Sequence, residues 1–375
     1  MAKQNKTAGL RGLSAGETAI STVDKQGTGL SYYGYDIEQL AQYASFEEVA
    51  YLLLYAELPT HTQLNEFIHR LKQARSLPET LKQVLEKIPA ESHPMDVMRT
   101  ACSILGTLEP ELNFKQQTQI AERLLAIFPS IMCYWYCFNK TGKRINTTYS
   151  HNSIAQHILQ MLYGKPPNTL QQKAMDVSLI LYAEHEFNAS TFTARICAST
   201  LSDFYSAICA AIGSLRGPLH GGANEGSLHL FSSCKNSEQV VAKVKDKLQK
   251  KEKIMGFGHA VYKKSDPRNA LIKHWARKLS EQAKDEHYFV MAEAIEALMQ
   301  QQKNLFANLD FYSALNYHFL DIPASLFTPL FVCSRITGWS AHIMEQRKHN
   351  VLIRPIADYT GVAPRNYIPV EQRLV

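Results

Sequence analysis

The sequence predicts an all-α, mainly helical protein that consists of a large domain and a smaller one. Apolar residues recur with helical spacing in many segments; the stretch 64–71, for example, places them at positions i, i+3, i+4 and i+7. Sustained alternation with a period of two is nearly absent after Asp36, which confines predicted β structure to a short piece near the N-terminus. A chain of 375 residues is long for one core, so a second, smaller domain is expected.

The elements follow in order along the chain. The Gly-, Ser- and Thr-rich stretch 9–36 is expected to form a small hairpin or an extended arm. Ser45 and Glu48 form a capping box that starts a helix ending at Leu58-Pro59, and Thr62 precedes the next helix. Further helices are predicted at 80–88, 95–105, 117–137, 154–163, 170–182, 188–215, 239–250, 267–282, 287–302 and 326–348.

The domain division is predicted from two breaks in the helical pattern. Gly221-Gly222 offers a hinge, and a return of the chain near Pro323 or Pro329 closes the inserted segment. The sequence therefore predicts a large helical domain from residues 1–222 and 323–375, and a small helical domain from 223–322 that closes a cleft over His220.

Composition excludes several classes of protein. Hydrophobic content of 45% and charged content of 20% are typical of a soluble globular protein. The net charge is +6, and the lysines and arginines are spread along the chain apart from one lysine-rich cluster at 243–253. Nucleic-acid binding is therefore not expected. No window of 18 apolar residues predicts a membrane span.

The cysteines and the N-terminus indicate the compartment. The chain has seven cysteines, an odd number; no two of them form a CxxC motif, and most lie in apolar runs. This pattern favours buried free thiols in a reducing environment. The start MAKQNKTAGLRG has no apolar core of a secretory signal. We therefore expect a cytoplasmic protein.

Two histidines and one aspartate are the candidate catalytic residues. His220 lies in RGPLHGGANE and His259 in GFGHAVYKKSDPR, each in a turn of Gly or Pro where a ligand can approach the ring. Asp310 lies among apolar residues in FANLDF, and a partly desolvated carboxylate is a stronger base than one in water. Such groups can move a proton from carbon and polarise a carbonyl.

The sequence lacks the motifs of metal sites, dinucleotide-binding sites and serine hydrolases. The 14 histidines include no HExxH, no Cys/His cluster and no DxDxDG loop, so no metal is expected. The GFG before His259 is not a GxGxxG dinucleotide fingerprint, and no GxSxG elbow of a serine hydrolase is present.

The strings RGPLHGGANE, GFGHAVYKKSDPR, NLDFYSALNYHF and FVCSRITGWSAHIMEQR resemble the citrate synthase family, most closely its 2-methylcitrate synthase branch. The resemblance runs from about Gly12 to the C-terminus. It implies condensation of an acyl-CoA with oxaloacetate, followed by thioester hydrolysis. By the same resemblance, Asp310 removes the α-proton, His220 stabilises the enol or enolate, and His259 donates to the ketone oxygen. Acyl-CoA is then a substrate, and no cofactor is implied.

The resemblance also implies the residues that bind the substrates. Arg268, Arg335 and Arg354 match the family positions that bind the oxaloacetate carboxylates, and Arg supplies the planar two-pronged donors that carboxylates need. The position matched by Arg354 reaches in from the other subunit, which implies a homodimer. His185 and Asn188 complete the oxaloacetate site. The acyl-CoA is expected to lie along Lys253, Ile254, Met255, Gly256 and Phe257.

Within the family the strings ESHPMDVMRT, CYWYC and LYAEHEFNASTFTAR favour propionyl-CoA over acetyl-CoA. Ala260 departs from the pattern, because the 2-methylcitrate branch often has Pro there and bacterial citrate synthases often have Arg. One methylene is worth only ~1–3 kcal/mol in an apolar pocket, so use of both acyl-CoAs is expected. A citrate synthase that prefers acetyl-CoA is the near alternative, and a non-catalytic helical protein that binds acyl-CoA or a dicarboxylate is the distant one.

Overall fold

The computed structural model describes residues 12–23 and 29–373, and the predicted mainly α-helical class is confirmed. The helices within this part of the chain are α1 (Ile37–Tyr43), α2 (Phe46–Tyr55), α3 (His61–Gln73), α4 (Glu79–Lys87), α5 (Pro94–Leu108), α6 (Gln117–Thr141), α7 (Ile154–Tyr163), α8 (Thr169–Tyr182), α9 (Ala189–Ser199), α10 (Phe204–Leu215), α11 (Ala223–Ser232), α12 (Ser237–Gln249), α13 (Pro267–Ala283), α14 (His287–Lys303), α15 (Leu309–Phe319) and α16 (Phe327–Lys348). Short 3-10 turns lie at Phe114–Gln116, Ala324–Leu326 and Val370–Gln372.

The expected β piece is a small antiparallel sheet. Its strands β1 (Ser21–Val23), β2 (Leu30–Tyr32) and β3 (Tyr35–Asp36) are paired in chain order. Ser21 pairs with Tyr32 in the β1–β2 ladder. The remaining parts of the predicted segment 9–36, residues 9–11 and 24–28, lie outside the described residues.

The single helix predicted for 188–215 is wrong, because the structure has two helices, α9 and α10. Between them Leu201 adopts a left-handed backbone with φ of 64°, a conformation that opposes continuation of a helix. Asp203 then caps α10 by accepting a hydrogen bond from the backbone N–H of Ser206.

Helices α1, α11 and α15 were not predicted. The burial patterns of α11 and α15 explain why these two lack a clear helical signal. The buried face of α11 includes the polar side chains Asn224 and Ser227, so its apolar stripe is weak. Most of α15 is buried, including residues on all of its sides, so it lacks the one-sided stripe on which helix prediction relies.

Helix α2 begins and ends, and helix α3 begins, within a few residues of the predicted positions. The capping box of Ser45 and Glu48 at α2 is confirmed. That helix ends at Tyr55, before Leu58-Pro59, because Ala56 adopts a left-handed backbone. Helix α3 is capped by Thr60, two residues earlier than the predicted Thr62.

Helix α16 is the centre of the core. It is buried along nearly its whole length and packs against α2, α5, α6, α8, α9 and α10. A helix surrounded on all sides shows no amphipathic stripe, and its polar side chains must find partners inside the protein.

The predicted small domain, residues 223–322, contains α11 to α15. Helix α13 packs against α15 within that segment and also against α8 outside it, and α11 packs against α15. The domain boundaries themselves remain a prediction.

Gly338 in α16 provides a test of how closely this helix approaches the end of α8. A Cβ at Gly338 would lie 2.5 Å from the carbonyl oxygen of Ala183 and closer still to the Glu184 carboxylate, whereas a Cβ at Gly213 in α10 would meet nothing within 4 Å. We expect Gly338→Ala to destabilise the protein by about 1–3 kcal/mol through overpacking. Gly213→Ala, the control, should be neutral or stabilising by up to about 1 kcal/mol, since Ala favours helix more than Gly. Thermal unfolding measures both, and equal Tm values for the two variants would contradict the close packing.

Candidate active site

One cavity of about 440 Å³ gathers seven of the eight predicted catalytic and oxaloacetate-binding residues. The seven are His185, Asn188, His220, His259, Arg268, Asp310 and Arg335. They come from the α8–α9 connection, the turn before α11, the loop before α13, and the starts of α13 and α15, with Arg335 from α16. Arg354 does not line this cavity; it is exposed in the extended segment that follows α16.

The first turn of α9 holds the ring of His220. The backbone N–H of Ser190, in the first turn of α9, donates to His220 Nε2 at 3.3 Å, and the Ser190 hydroxyl lies 2.8 Å from the same nitrogen. A main-chain N–H can only donate, so Nε2 carries a lone pair. The ring proton of neutral His220 is therefore on Nδ1.

His259 is fixed in the opposite tautomer. Its Nδ1 accepts hydrogen bonds from the backbone N–H groups of Val261, at 3.1 Å, and Tyr262, at 3.2 Å. Both donors are main-chain amides, so the proton of neutral His259 is on Nε2. The two histidines thus offer N–H donors from different ring positions.

Burial keeps the histidines of this cavity neutral. It lowers the pKa of His220 to about 4, with a further contribution from Arg335. It also lowers the pKa of His259 to about 4, helped by Arg268, and lowers that of His185. Neutral imidazoles at pH 7 are hydrogen-bond donors without a charge of their own.

Asp310 has the environment of a strengthened base. It is the second residue of α15, and Asn308 caps that helix by accepting from the Asp310 backbone N–H. Burial raises the pKa of its carboxyl group, while a 2.6 Å hydrogen bond from the Tyr182 hydroxyl and the charge of Arg268 oppose that rise. Because Tyr182 occupies Oδ1, Oδ2 is the oxygen left for a proton transfer.

The two arginines of the cavity are buried but differ in their partners. Arg268 binds Asp266 through Nε and Nη2, both at 2.9 Å. Arg335 donates from Nε to the carbonyl of Tyr182 at 2.7 Å, and its Nη1 is buried without a hydrogen-bond partner among the described residues. Burial lowers the pKa of Arg335 to about 10. A buried guanidinium with an unused donor is suited to a carboxylate ligand.

Asn188 is engaged within its own loop. Its Oδ1 accepts from the Thr191 N–H, and its Nδ2 donates to the Thr191 hydroxyl. Oδ1 also lies 2.8 Å from the Ser190 hydroxyl, whose single proton is donated to His220 Nε2 when that nitrogen carries the lone pair. The side chain therefore shapes the α8–α9 connection that carries His185, whose Nε2 lies 3.2 Å from the hydroxyl of Tyr262.

Three contributors to this cavity were not predicted. Tyr182 binds Asp310, Ser190 holds His220, and Phe331 packs against Tyr182 with ring centroids 4.5 Å apart. For Tyr182 a weak signal was available, since it lies three residues before the predicted site residue His185. Ser190 and Phe331 carry no local signal, because the groups they meet are distant in sequence.

The predicted CoA segment 253–257 links this cavity to a second one. Gly256 accepts a hydrogen bond from the N–H of Asn308 at 2.9 Å, and Phe257 pairs with Ala307, so the segment is joined to the start of α15. Gly256 needs to be glycine, since its φ is 83° and a Cβ would lie 2.8 Å from Phe311 Cβ. Lys253, Ile254 and Met255 line a cavity of about 300 Å³ together with Gly226, His229, Leu230, Lys243 and Lys247.

In the part of the chain that the structure describes, no helix has the length and apolar character needed to cross a membrane. Residues 12–23 and 29–373 also contain no group of three or more His, Cys, Asp or Glu side chains placed to hold a metal ion.

Comparison with known proteins gives consistent matches over the whole chain. The family model described as citrate synthase, C-terminal domain, matches residues 9–356. The 2-methylcitrate synthase of Shewanella oneidensis is 59% identical over 372 residues, 99% of each chain. Citrate synthase 2 of Bacillus subtilis is 41% identical over 98% of this chain and 99% of its own. A Thermoplasma acidophilum citrate synthase, solved with carboxymethyl-CoA and oxaloacetate, superposes with a TM-score of 0.91 at 31% identity, covering 97% of this chain and 98% of its own. This chain belongs to the citrate synthase family.

Proposed function

We propose that the protein condenses propionyl-CoA with oxaloacetate and water to give 2-methylcitrate and CoA, and that it also converts acetyl-CoA to citrate. One observation carries the proposal. A single cavity holds a desolvated carboxylate, two neutral histidines with their protons on different ring nitrogens, and the buried guanidinium groups of Arg268 and Arg335. The names of the Shewanella and Bacillus relatives support the two acyl-CoA substrates.

The first step forms an enolate. Oδ2 of Asp310 takes a proton from the carbon next to the thioester, and Nδ1–H of His220 donates to the thioester oxygen, where negative charge develops. A donor already in place at that oxygen stabilises the transition state more than the ground state. The raised pKa of Asp310, due to burial, makes it a better base for a weak carbon acid.

The second step joins the two substrates. The enolate carbon attacks the keto carbon of oxaloacetate, and Nε2–H of His259 donates to the keto oxygen and protonates it as the bond forms. Water then adds to the thioester carbonyl, and the CoA thiol leaves. Closure of the cleft excludes bulk water until then.

Arginines position the oxaloacetate. The guanidinium group of Arg335, and the part of the Arg268 guanidinium that Asp266 leaves free, are the donors for its carboxylates. His185 helps through the ring nitrogen near Tyr262, and Asn188 holds the loop that presents it.

We propose a homodimer in which Arg354 of one chain completes the site of the other. Arg354 is exposed in a segment with large apolar side chains that lack cover in the single chain, including Ile356, Tyr359 and Tyr367. Such an exposed apolar stretch favours contact with another protein surface.

The acyl-CoA is proposed to run along 253–257 into the second cavity. Lys243, Lys247 and Lys253 supply positive charge for phosphate groups there. Lys247 is already ion-paired with Glu252 at 2.6 Å, so it contributes less than the other two.

A cytoplasmic location is also part of the proposal. All seven cysteines are free thiols, four of them buried, as expected for a protein in a reducing compartment.

Thiol release tests the function. We expect CoA release with oxaloacetate from both acyl-CoAs, with the higher kcat/KM for propionyl-CoA. The preference should stay within the 10- to 200-fold that one methylene contributes. A preference for acetyl-CoA would identify a citrate synthase. No CoA release from either substrate would refute the proposed activity and favour the alternative of a non-catalytic binding protein.

Asp310→Asn tests the assignment of the base. The amide keeps the shape of the side chain but cannot take a proton, so thiol release should fall by about 100- to 10,000-fold. Oxaloacetate binding, measured by calorimetry, should be largely kept. Asp246→Asn on the exposed face of α12 is the control and should leave turnover unchanged. Full activity of the Asp310 variant would show that another group is the base.

Nitrogen-15 NMR of the imidazoles tests their tautomers and charge. At pH 7 we expect neutral rings, with the proton on Nδ1 of His220 and on Nε2 of His259, and protonation only near pH 4. The unfolded chain takes up these protons near pH 6.5, so these two groups should reduce folding stability as the pH falls from about 6.5 to 4. His220→Asn and His259→Asn assign the signals, and a doubly protonated ring at pH 7 would contradict the mechanism.

A further inference from the structure

Asp266 occupies an unusual position between two functional groups. It is buried and caps α13, its Oδ1 accepting from the backbone N–H of Arg268 at 3.1 Å. The same Oδ1 accepts from Arg268 Nε, and Oδ2 accepts from Arg268 Nη2, each at 2.9 Å. Oδ2 also accepts from the backbone N–H of Leu309, 43 residues further on, at 3.0 Å. One carboxylate therefore joins the starts of α13 and α15.

The first consequence concerns Arg268. Two parallel N–H···O bonds to one carboxylate fix the plane of the guanidinium and use two of its nitrogens. Asp266 leaves three of the five N–H donors for other partners, two on Nη1 and one on Nη2. Arg268 is buried, so loss of the Asp266 charge would leave a buried cation without its partner.

The second consequence concerns Asp310. Leu309 is the first residue of α15 and directly precedes Asp310. Its N–H is one of the amides that a helix leaves unsatisfied at its start, and Asp266 satisfies it from a distant part of the chain. Asn308 caps the next amide, that of Asp310, and its Nδ2 also donates to the carbonyl of Gly258. The backbone of the proposed base is thus held from both the α13 and the His259 sides.

We propose that Asp266 is a positioning residue that links the substrate-binding arginine to the catalytic base. It orients Arg268 toward the oxaloacetate carboxylate and, with the same oxygen atoms, sets the place of Asp310 in α15. This inference rests on the proposed function. It adds that binding of the keto acid and removal of the α-proton share one carboxylate that touches neither substrate.

Asp266→Asn tests the link, because the amide keeps the size of the side chain but loses the charge and one acceptor oxygen. Both kinetic parameters should change. The KM for oxaloacetate should rise about tenfold or more as the support of Arg268 weakens. At saturation of both substrates kcat should fall about 10- to 100-fold, since a displacement of about 1 Å at a reacting group costs up to about 100-fold.

An isotope effect identifies the slowed step. With propionyl-CoA deuterated at the α-carbon, the primary isotope effect on kcat should be larger for Asp266→Asn than for the wild type, because proton removal becomes the slower step. Arg268→Lys changes the ligand-binding side chain but keeps its charge and leaves Asp266 able to accept from the Leu309 N–H, so it should raise the KM for oxaloacetate without enlarging the isotope effect. A change in KM with unchanged kcat and isotope effect would overturn the inference and leave Asp266 as a partner of Arg268 alone.

A second variant guards against loss of folding. Asp266→Ser keeps an oxygen that can cap α13 but is too short to bridge to Arg268 and Leu309; circular dichroism establishes that it is folded, and the same double effect is expected. The wild type is assayed in parallel. Absence of thiol release from the wild type would refute the proposed function and this inference together, whereas an active wild type with unchanged kcat in both variants refutes the inference only.

Discussion

The hydrogen bonds from the buried helix α16 to the segment 179–190, which runs from the last turn of α8 into the start of α9, support the rest of this site. Polar side chains on one face of α16 all reach that segment: Ser334 donates to the carbonyl of Leu179, Arg335 to that of Tyr182, Trp339 to the hydroxyl of Ser190, and His342 lies 2.9 Å from the Glu184 carboxylate. In a dry interior such bonds are strong and an unmade one is costly, so the segment has one favourable arrangement. The same segment supplies His185, Asn188 and the amide that holds His220.

Burial, nearby charges and main-chain hydrogen bonds set the protonation of the side chains in this cavity. The histidines are neutral because they are buried near cations, and their tautomers are fixed by amides that can only donate. The carboxylates are separated by role. Asp266 lies against Arg268, whose charge and hydrogen bonds outweigh burial and leave the pKa of Asp266 low. The Asp310 carboxylate accepts from the Tyr182 hydroxyl and makes no ion pair among the described residues, and burial raises its pKa. One acid is therefore a permanent anion and the other is suited to accept a proton.

Several residues of the site were readable from sequence because their motifs are contiguous. His220 and His259 stand in long specific strings, and Arg268 and Arg335 carry a chemistry that a dicarboxylate requires. The sequence contained no sign that Asp266 meets Leu309, since the two residues are 43 positions apart. The bond from Tyr182 to Asp310 spans 128 residues, so neither neighbourhood showed that these two side chains meet. Helix α15 was missed because burial on all its sides removes the periodic stripe.

The sequence by itself determined the helical class, most helix positions and the types of side chain available for chemistry, because capping, apolar spacing and motif strings are local properties. Only the tertiary structure decided which nitrogen of each of these two histidines carries the proton, how each buried arginine is bonded, and which acid is desolvated. Those properties depend on amides, carbonyls and charges brought together from distant segments. A group's pKa and tautomer belong to its surroundings, which exist only once the chain has folded.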